Sequence, residues 1–133
     1  MALPALLTEL LDRKVFTVVS TANRDGSPQS SVIWAKYDTA ADQVVFSTNL
    51  GRRKTRNMDR DPRVSLCAYD PADPYRYVEV RGTVTMTTDG GNELIEELSQ
   101  HYQGKPYVES SPDNVRVVCR LTITHSFERD PRR

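Results

Sequence analysis

The residues best suited to chemistry lie in the segment RRKTRNMDRDPR, from Arg52 to Arg63, where six cations (Arg52, Arg53, Lys54, Arg56, Arg60 and Arg63) meet only two acids, Asp59 and Asp61, for a local charge of +4. Just upstream, Ser47 and Thr48 close an extended run, and Asn49 and Gly51 interrupt it before a stretch of helix formers that carries Arg52, Lys54 and Asn57. Hydroxyls, cations and the free amides of a helix start therefore converge on one turn. Such a turn can hold a phosphate, because the first N–H groups of a helix lack internal partners and its dipole is positive there. Each added charge-assisted bond contributes about 1.5–3 kcal/mol. A solvated helix with a basic face is the competing explanation of the charge alone.

Two further sets of residues could complete a ligand site. The run PQSSVIWAKY places Gln29, Ser31, Ile33 and Ala35 on one face of a strand and Ser30, Val32, Trp34 and Lys36 on the other, so neither face is cleanly apolar. Polar groups in mid-strand suit the edge of a planar heterocycle, while an exposed hairpin anchored by one Trp explains them equally well. Tyr75 and Tyr77 share a face with Glu79 and Arg81 and offer either stacking surfaces or amphipathic packing. The two histidines, His101 and His125, and the two cysteines, Cys67 and Cys119, form no metal-binding spacing, no nucleophilic dyad and no CxxC pair. Neither a zinc site nor a disulfide framework is expected.

The elements that must position these residues follow from composition and period. The chain has 133 residues, enough for one domain spanning residues 1–133 with its own core. Fourteen valines, twelve threonines and three isoleucines favour pleated strands over helices. Leu3, Leu6, Leu7, Leu10 and Leu11 instead recur at helical spacing behind Pro4. Strands are expected over 15–21, 29–37, 43–48, 63–69, 75–87 (bent at Gly82) and 115–127, with a hairpin turn at Asn23, Asp25 and Gly26. Short helices are expected over 52–60 and 92–102, the latter stopped by Gly104 and Pro106. Six antiparallel strands and three short helices suggest a closed or nearly closed barrel.

Charge and hydropathy narrow the partners. Eighteen basic and eighteen acidic residues cancel, which argues against a general polyanion binder and hence against nucleic acid. No apolar run approaches the ~18 residues of a membrane span, and no signal-peptide pattern opens the chain. A cytoplasmic protein without membrane association is expected.

Three stretches in order, DGSPQSSVIWAKYD, VVFSTNLGRRKTRNMDRDPRVSL and DPYRYVEVRGTV, resemble the flavin/deazaflavin split-barrel superfamily, and more narrowly its pyridoxamine-phosphate-oxidase-like members that use coenzyme F420. The likeness runs from about Val15 to Phe127, and its most specific parts are the DG-x-P-Q strand entry and the spacing from Ser47 to Asn57. It implies a six-stranded antiparallel split β-barrel (FMN-binding split barrel) forming a homodimer, with a cofactor groove at the subunit interface. By that resemblance Arg52, Lys54 and Asn57 hold the cofactor phosphate and Ser47 and Thr48 flank it. Gln29, Ser31 and Ile33 then lie beside the ring system, and Tyr75 and Tyr77 reach across the dimer. The activity implied is an F420-dependent oxidoreductase that passes hydride between the deazaflavin C5 and an electron-poor small molecule. No side chain is assigned as catalytic.

Two alternatives keep the fold: an FMN-binding flavin reductase or pyridoxamine-phosphate-oxidase-like oxidase, and a non-enzymatic flavin or tetrapyrrole binder. A third, a small nucleic-acid-binding barrel, rests only on the Arg52 to Arg63 cluster. F420 is weakly favoured over FMN by Arg53 and Arg56, extra cations suited to its acidic tail.

Overall fold

The computed structural model describes residues 1–132. In chain order it contains α1 (Ala5–Asp12), β1 (Thr17–Ala22), β2 (Pro28–Ile33), β3 (Ala35–Asp38), β4 (Gln43–Asn49), α2 (Arg53–Arg60), β5 (Arg63–Asp70), β6 (Asp73–Thr87), α3 (Gly91–Gln103) and β7 (Arg116–Arg129). All strand pairs are antiparallel, in the order β2-β1-β5-β6-β7-β4-β3. The architecture is the expected mostly-β split barrel with three helices, built on seven strands rather than six. The extra strand arises at Trp34, where the continuous run expected over 29–37 changes partner: Ile33 pairs with Thr17 on β1, whereas Ala35 pairs with Phe46 on β4. The two outermost strands of the sheet are thus consecutive in the chain, and that continuity closes the barrel.

Alternation along the strands sends Thr17, Val19, Val44, Phe46, Leu66, Ala68, Val78, Val80, Cys119 and Leu121 inward, where each is buried. Helix α1 adds Leu6, Leu7, Leu10 and Leu11 to the same core and packs on β3, β5 and β6. Each buried leucine contributes about 1.5–3 kcal/mol relative to an exposed one. A second cluster, Val45, Leu94, Leu98 and Val118, joins the outer surface of β4 and β7 to α3, with Trp34 and Tyr102 against it.

The bend expected at Gly82 is a β-bulge: Arg81 pairs with His125 but Gly82 with Ile123, leaving Thr124 unmatched. Glycine is required there by close approach, since a Cβ would lie 1.8 Å from the Thr122 carbonyl oxygen. At the other end of β6, the buried Arg76 guanidinium gathers Glu9 of α1, Asp70 of β5 and Asp130 beyond β7, with Nε 2.9 Å from Asp130 Oδ2. Arg13 pairs with both Asp70 oxygens at 3.0 and 3.1 Å. No helix among the described residues is long and apolar enough to cross a membrane.

Candidate functional site

Strand β4 ends at Asn49, and Gly51 turns the chain with φ +86°, a left-handed value that suits glycine. Arg52, still extended (ψ 151°), then caps α2. This turn puts Arg52 and Lys54 on the wall of a cavity of about 350 Å³, which Ser47 and Ile33 also line. Lys54 Nζ donates to Ser31 Oγ at 3.2 Å and so ties the first turn of α2 to β2. Burial foremost, and the nearby Arg52 charge second, hold the Lys54 ammonium below its usual pKa. A cation held in this way gains from the arrival of an anion.

Aromatic side chains share the wall with the cations. Phe16, just before β1, and Trp34 both stack with the Tyr102 ring, at centroid distances of 5.7 and 5.5 Å and interplanar angles of 18° and 11°. Tyr107, from the segment between α3 and β7, meets Trp34 edge-on at 6.4 Å. Arg116, the first residue of β7, lies over the Tyr107 ring at 4.8 Å and completes the wall. The site therefore brings cations, hydroxyls and flat aromatic rings around one cavity, the combination that an anionic aromatic molecule needs.

Of the residues expected at a ligand, Ser31, Ile33, Ser47, Arg52 and Lys54 come together here. Thr48 is buried, with its hydroxyl 2.9 Å from that of Thr55, which in turn donates to the Asn49 carbonyl at 2.6 Å. Asn57 is also buried: its amide donates to Thr21 Oγ1 and Asn23 Oδ1, both at 3.0 Å, and Thr21 donates to Gln29 Oε1 at 2.8 Å. Gln29 and Asn57 thus meet in one network that fixes α2 to the β1–β2 turn, behind the cavity rather than on its wall. Tyr75 is 71% exposed and Tyr77 packs near Phe127 at 6.0 Å, both on β6 and away from the cavity of their own chain.

Phe16, Tyr107 and Arg116 escaped the sequence reading. Tyr107 carries no local signal. Arg116 could have been found only through strand pairing, because its register partner is Asn49, at the end of the Ser47–Thr48 strand.

Comparison with known proteins agrees with the fold. The family model described as pyridoxamine 5'-phosphate oxidase matches residues 3–129, and the chain belongs to that family. A pyridoxine/pyridoxamine 5'-phosphate oxidase of Acidothermus cellulolyticus is 36% identical over 93 residues, covering 67% of this chain and 36% of that protein. The chain therefore spans about a third of the length of the curated relatives it matches. Among solved structures, an F420 reductase superposes with a TM-score of 0.79 at 30% identity, over 90% of this chain and 94% of the other. A pyridoxamine 5'-phosphate oxidase-related, FMN-binding protein from Nostoc punctiforme shares the fold, with a TM-score of 0.70 at 15% identity over 92% and 80% of the two chains.

Proposed function

We propose that this protein is a deazaflavin-dependent oxidoreductase that binds coenzyme F420 in the cavity between α2, β2 and β4 and reduces an electron-poor small organic molecule. The observation that carries this reading is the pairing of Arg52 and Lys54 with the aromatic wall of Trp34 and Phe16 around one cavity. The residues fit the group: cations and the Ser31 and Ser47 hydroxyls suit its phosphate end, and the aromatic rings suit its flat tricycle. The F420 reductase supports the deazaflavin at the level of sequence as well as fold, while the FMN-binding neighbour supports only the fold.

When bound, the reduced deazaflavin supplies a hydride donor at C5. The chain's own residues anchor and orient. Arg52 and Lys54 fix the anionic end, Ser31 holds Lys54 on the cavity side of α2, and the aromatic wall excludes water from the ring.

A volume of about 350 Å³ is near the lower end for ligand pockets, so the cofactor must extend beyond it. The neighbouring outer surface of the sheet carries several exposed apolar side chains among its polar ones. Register places Val32, Val18, Cys67, Glu79 and Phe127 in one row across it, with Val32 65% and Phe127 54% exposed. We propose that a second copy of the chain covers this surface about a two-fold axis, bringing Tyr75 and Tyr77 toward the partner's cofactor.

Titrating the purified protein with F420 and with FMN tests the cofactor. F420 is expected to bind more tightly, and micromolar FMN affinity without F420 binding overturns that choice. Lys54→Gln is expected to weaken the preferred cofactor by about 1.5–3 kcal/mol, and unchanged affinity removes Lys54 from the site. Anaerobic oxidation of the bound, reduced cofactor by quinones, nitroaromatics or enones tests turnover. A complete absence of oxidation turns the protein from an enzyme into a binder. Light scattering at micromolar concentration should give a dimer, and a monomer that binds cofactor fully contradicts the shared groove.

A further inference from the structure

The geometry points to Arg116 as a third anion-binding residue of this cavity, held ready by Glu109, which acts as an internal counter-ion opposing the incoming anion. The assignment rests on the reading of the cavity as the site of a phosphate-bearing cofactor and adds a residue and a selectivity device to it.

Arg116 is nearly buried, with a side-chain exposure of 10%. Its guanidinium is divided between two tasks. Nε lies 2.7 Å from Glu109 Oε2, and Nη2 lies 3.0 Å from Glu109 Oε1 and also donates to the Tyr107 hydroxyl. Nη1 reaches Ser47 Oγ at 3.4 Å, and Ser47, Tyr107 and Arg116 all line the cavity, whereas Glu109 does not. One edge of the planar fork is therefore tied back to Glu109, while the other edge reaches a residue of the cavity wall. Of the five N–H donors of an arginine, these contacts use four, which leaves one on Nη1.

The charges agree with this division. Among the described residues neither Arg52 nor Lys54 has a carboxylate within ion-pair distance, and Glu109 is the only acid paired with Arg116. Three cations against one carboxylate leave the cavity at +2, which matches the charge of a phosphate monoester, or of a singly charged phosphodiester together with one carboxylate of the same ligand. Glu109 is held below its usual pKa, first by its hydrogen bonds from Arg116 and further by the Asn114 amide and by Arg52, so it remains an anion at neutral pH. It therefore orients Arg116 and at the same time repels the ligand, a combination that favours a multiply charged anion over a singly charged one.

The test uses cofactor pairs that differ in the phosphate-bearing tail: F420 with 8-hydroxy-5-deazariboflavin, and FMN with riboflavin. Fluorescence titrations follow whichever pair the parent protein binds, on the full chain, with thermal midpoints recorded for each variant. Arg116→Gln should weaken the phosphorylated member at least ~10-fold and leave the other unchanged. Glu109→Gln should tighten the phosphorylated member several-fold and leave the other unchanged. Equal losses for both members, or no loss, with Arg116→Gln overturn the assignment, as does weakened or unchanged binding with Glu109→Gln. Should Arg116→Gln fail to fold, Glu109→Gln decides alone. Lys54→Gln separates the two levels of the argument. If it weakens the phosphorylated member while Arg116→Gln does not, only the role of Arg116 falls; if neither variant matters, the cavity is not the phosphate site.

Discussion

The phenolic oxygen of Tyr102 lies 3.0 Å from the carbonyl oxygen of Ala35 and 3.2 Å from its amide nitrogen, at the point where the sheet changes partner after Trp34. The same oxygen is 3.0 Å from the carbonyl of Val15, just ahead of β1. One side chain of α3 thus ties the start of β3 to the entry of β1, and its ring also stacks on Phe16 and Trp34 of the cavity wall.

Removing that hydroxyl leaves backbone groups of the buried Ala35 and Val15 without a partner. Tyr102→Phe should therefore lose about 1–3 kcal/mol of stability. Urea unfolding measures this, and an unchanged midpoint would show that the seam does not depend on the phenol.

The bulge at Gly82 allows no side chain. Gly82→Ala drives a methyl group into the Thr122 carbonyl and should cost about 1–3 kcal/mol or more as β6 and β7 are forced apart. A thermal midpoint equal to that of the parent would mean that the two strands yield freely at this position.

Thiol chemistry should separate the two cysteines. Burial pushes the Cys119 thiol up to about 12, and burial together with Glu79 raises that of Cys67 as well. Because the thiolate is the reactive form, neither should label at the rate of a free thiol at pH 7, and Cys119 should label only on unfolding. Mass spectrometry of iodoacetamide-treated native protein checks this, with rapid Cys119 alkylation as the contrary result. Cys67 lies on the proposed dimer surface, so its labelling should accelerate on dilution.

Acid should loosen the cluster around Arg76. The Arg76 guanidinium foremost lowers Asp130 from 3.8 to about 2, while Arg13 foremost pulls Asp70 well below the carboxylate range. A carboxyl with a depressed folded-state pKa contributes stability that is present above its unfolded value and is lost as pH falls through the folded one. Stability should therefore decline as pH drops from about 4 toward 2. Arg76→Met should lower stability at pH 7 and flatten that decline, as urea midpoints from pH 2 to 7 would show. An equally steep decline in the variant would place the acid sensitivity elsewhere.

The strands were legible because β-branched residues alternate within them, and the bend at Gly82 was legible because few other residues fit a bulge. The break at Trp34 was not, because alternation continues straight through it and only the choice between β1 and β4 as partner creates two strands. In the site, Arg52 and Lys54 stood out by charge density. Thr48 and Asn57 have the same polar character as ligand-binding residues, but tertiary packing turns their groups toward Thr55 and toward Thr21 and Asn23. Phe16, Tyr107 and Arg116 are far apart in sequence, and only the packing of α3 and the pairing of β4 with β7 bring them near Lys54.

An ordinary sheet frays from its margins inward, each margin independently of the other. Here both margins belong to one uninterrupted stretch of backbone, so loosening β3 loads β2 through a single residue. Native-state hydrogen exchange should accordingly release the amides of 28–33 and 35–38 as one cooperative unit. A protease that nicked the peptide beside Trp34 would turn a tube into a ribbon with two free ends.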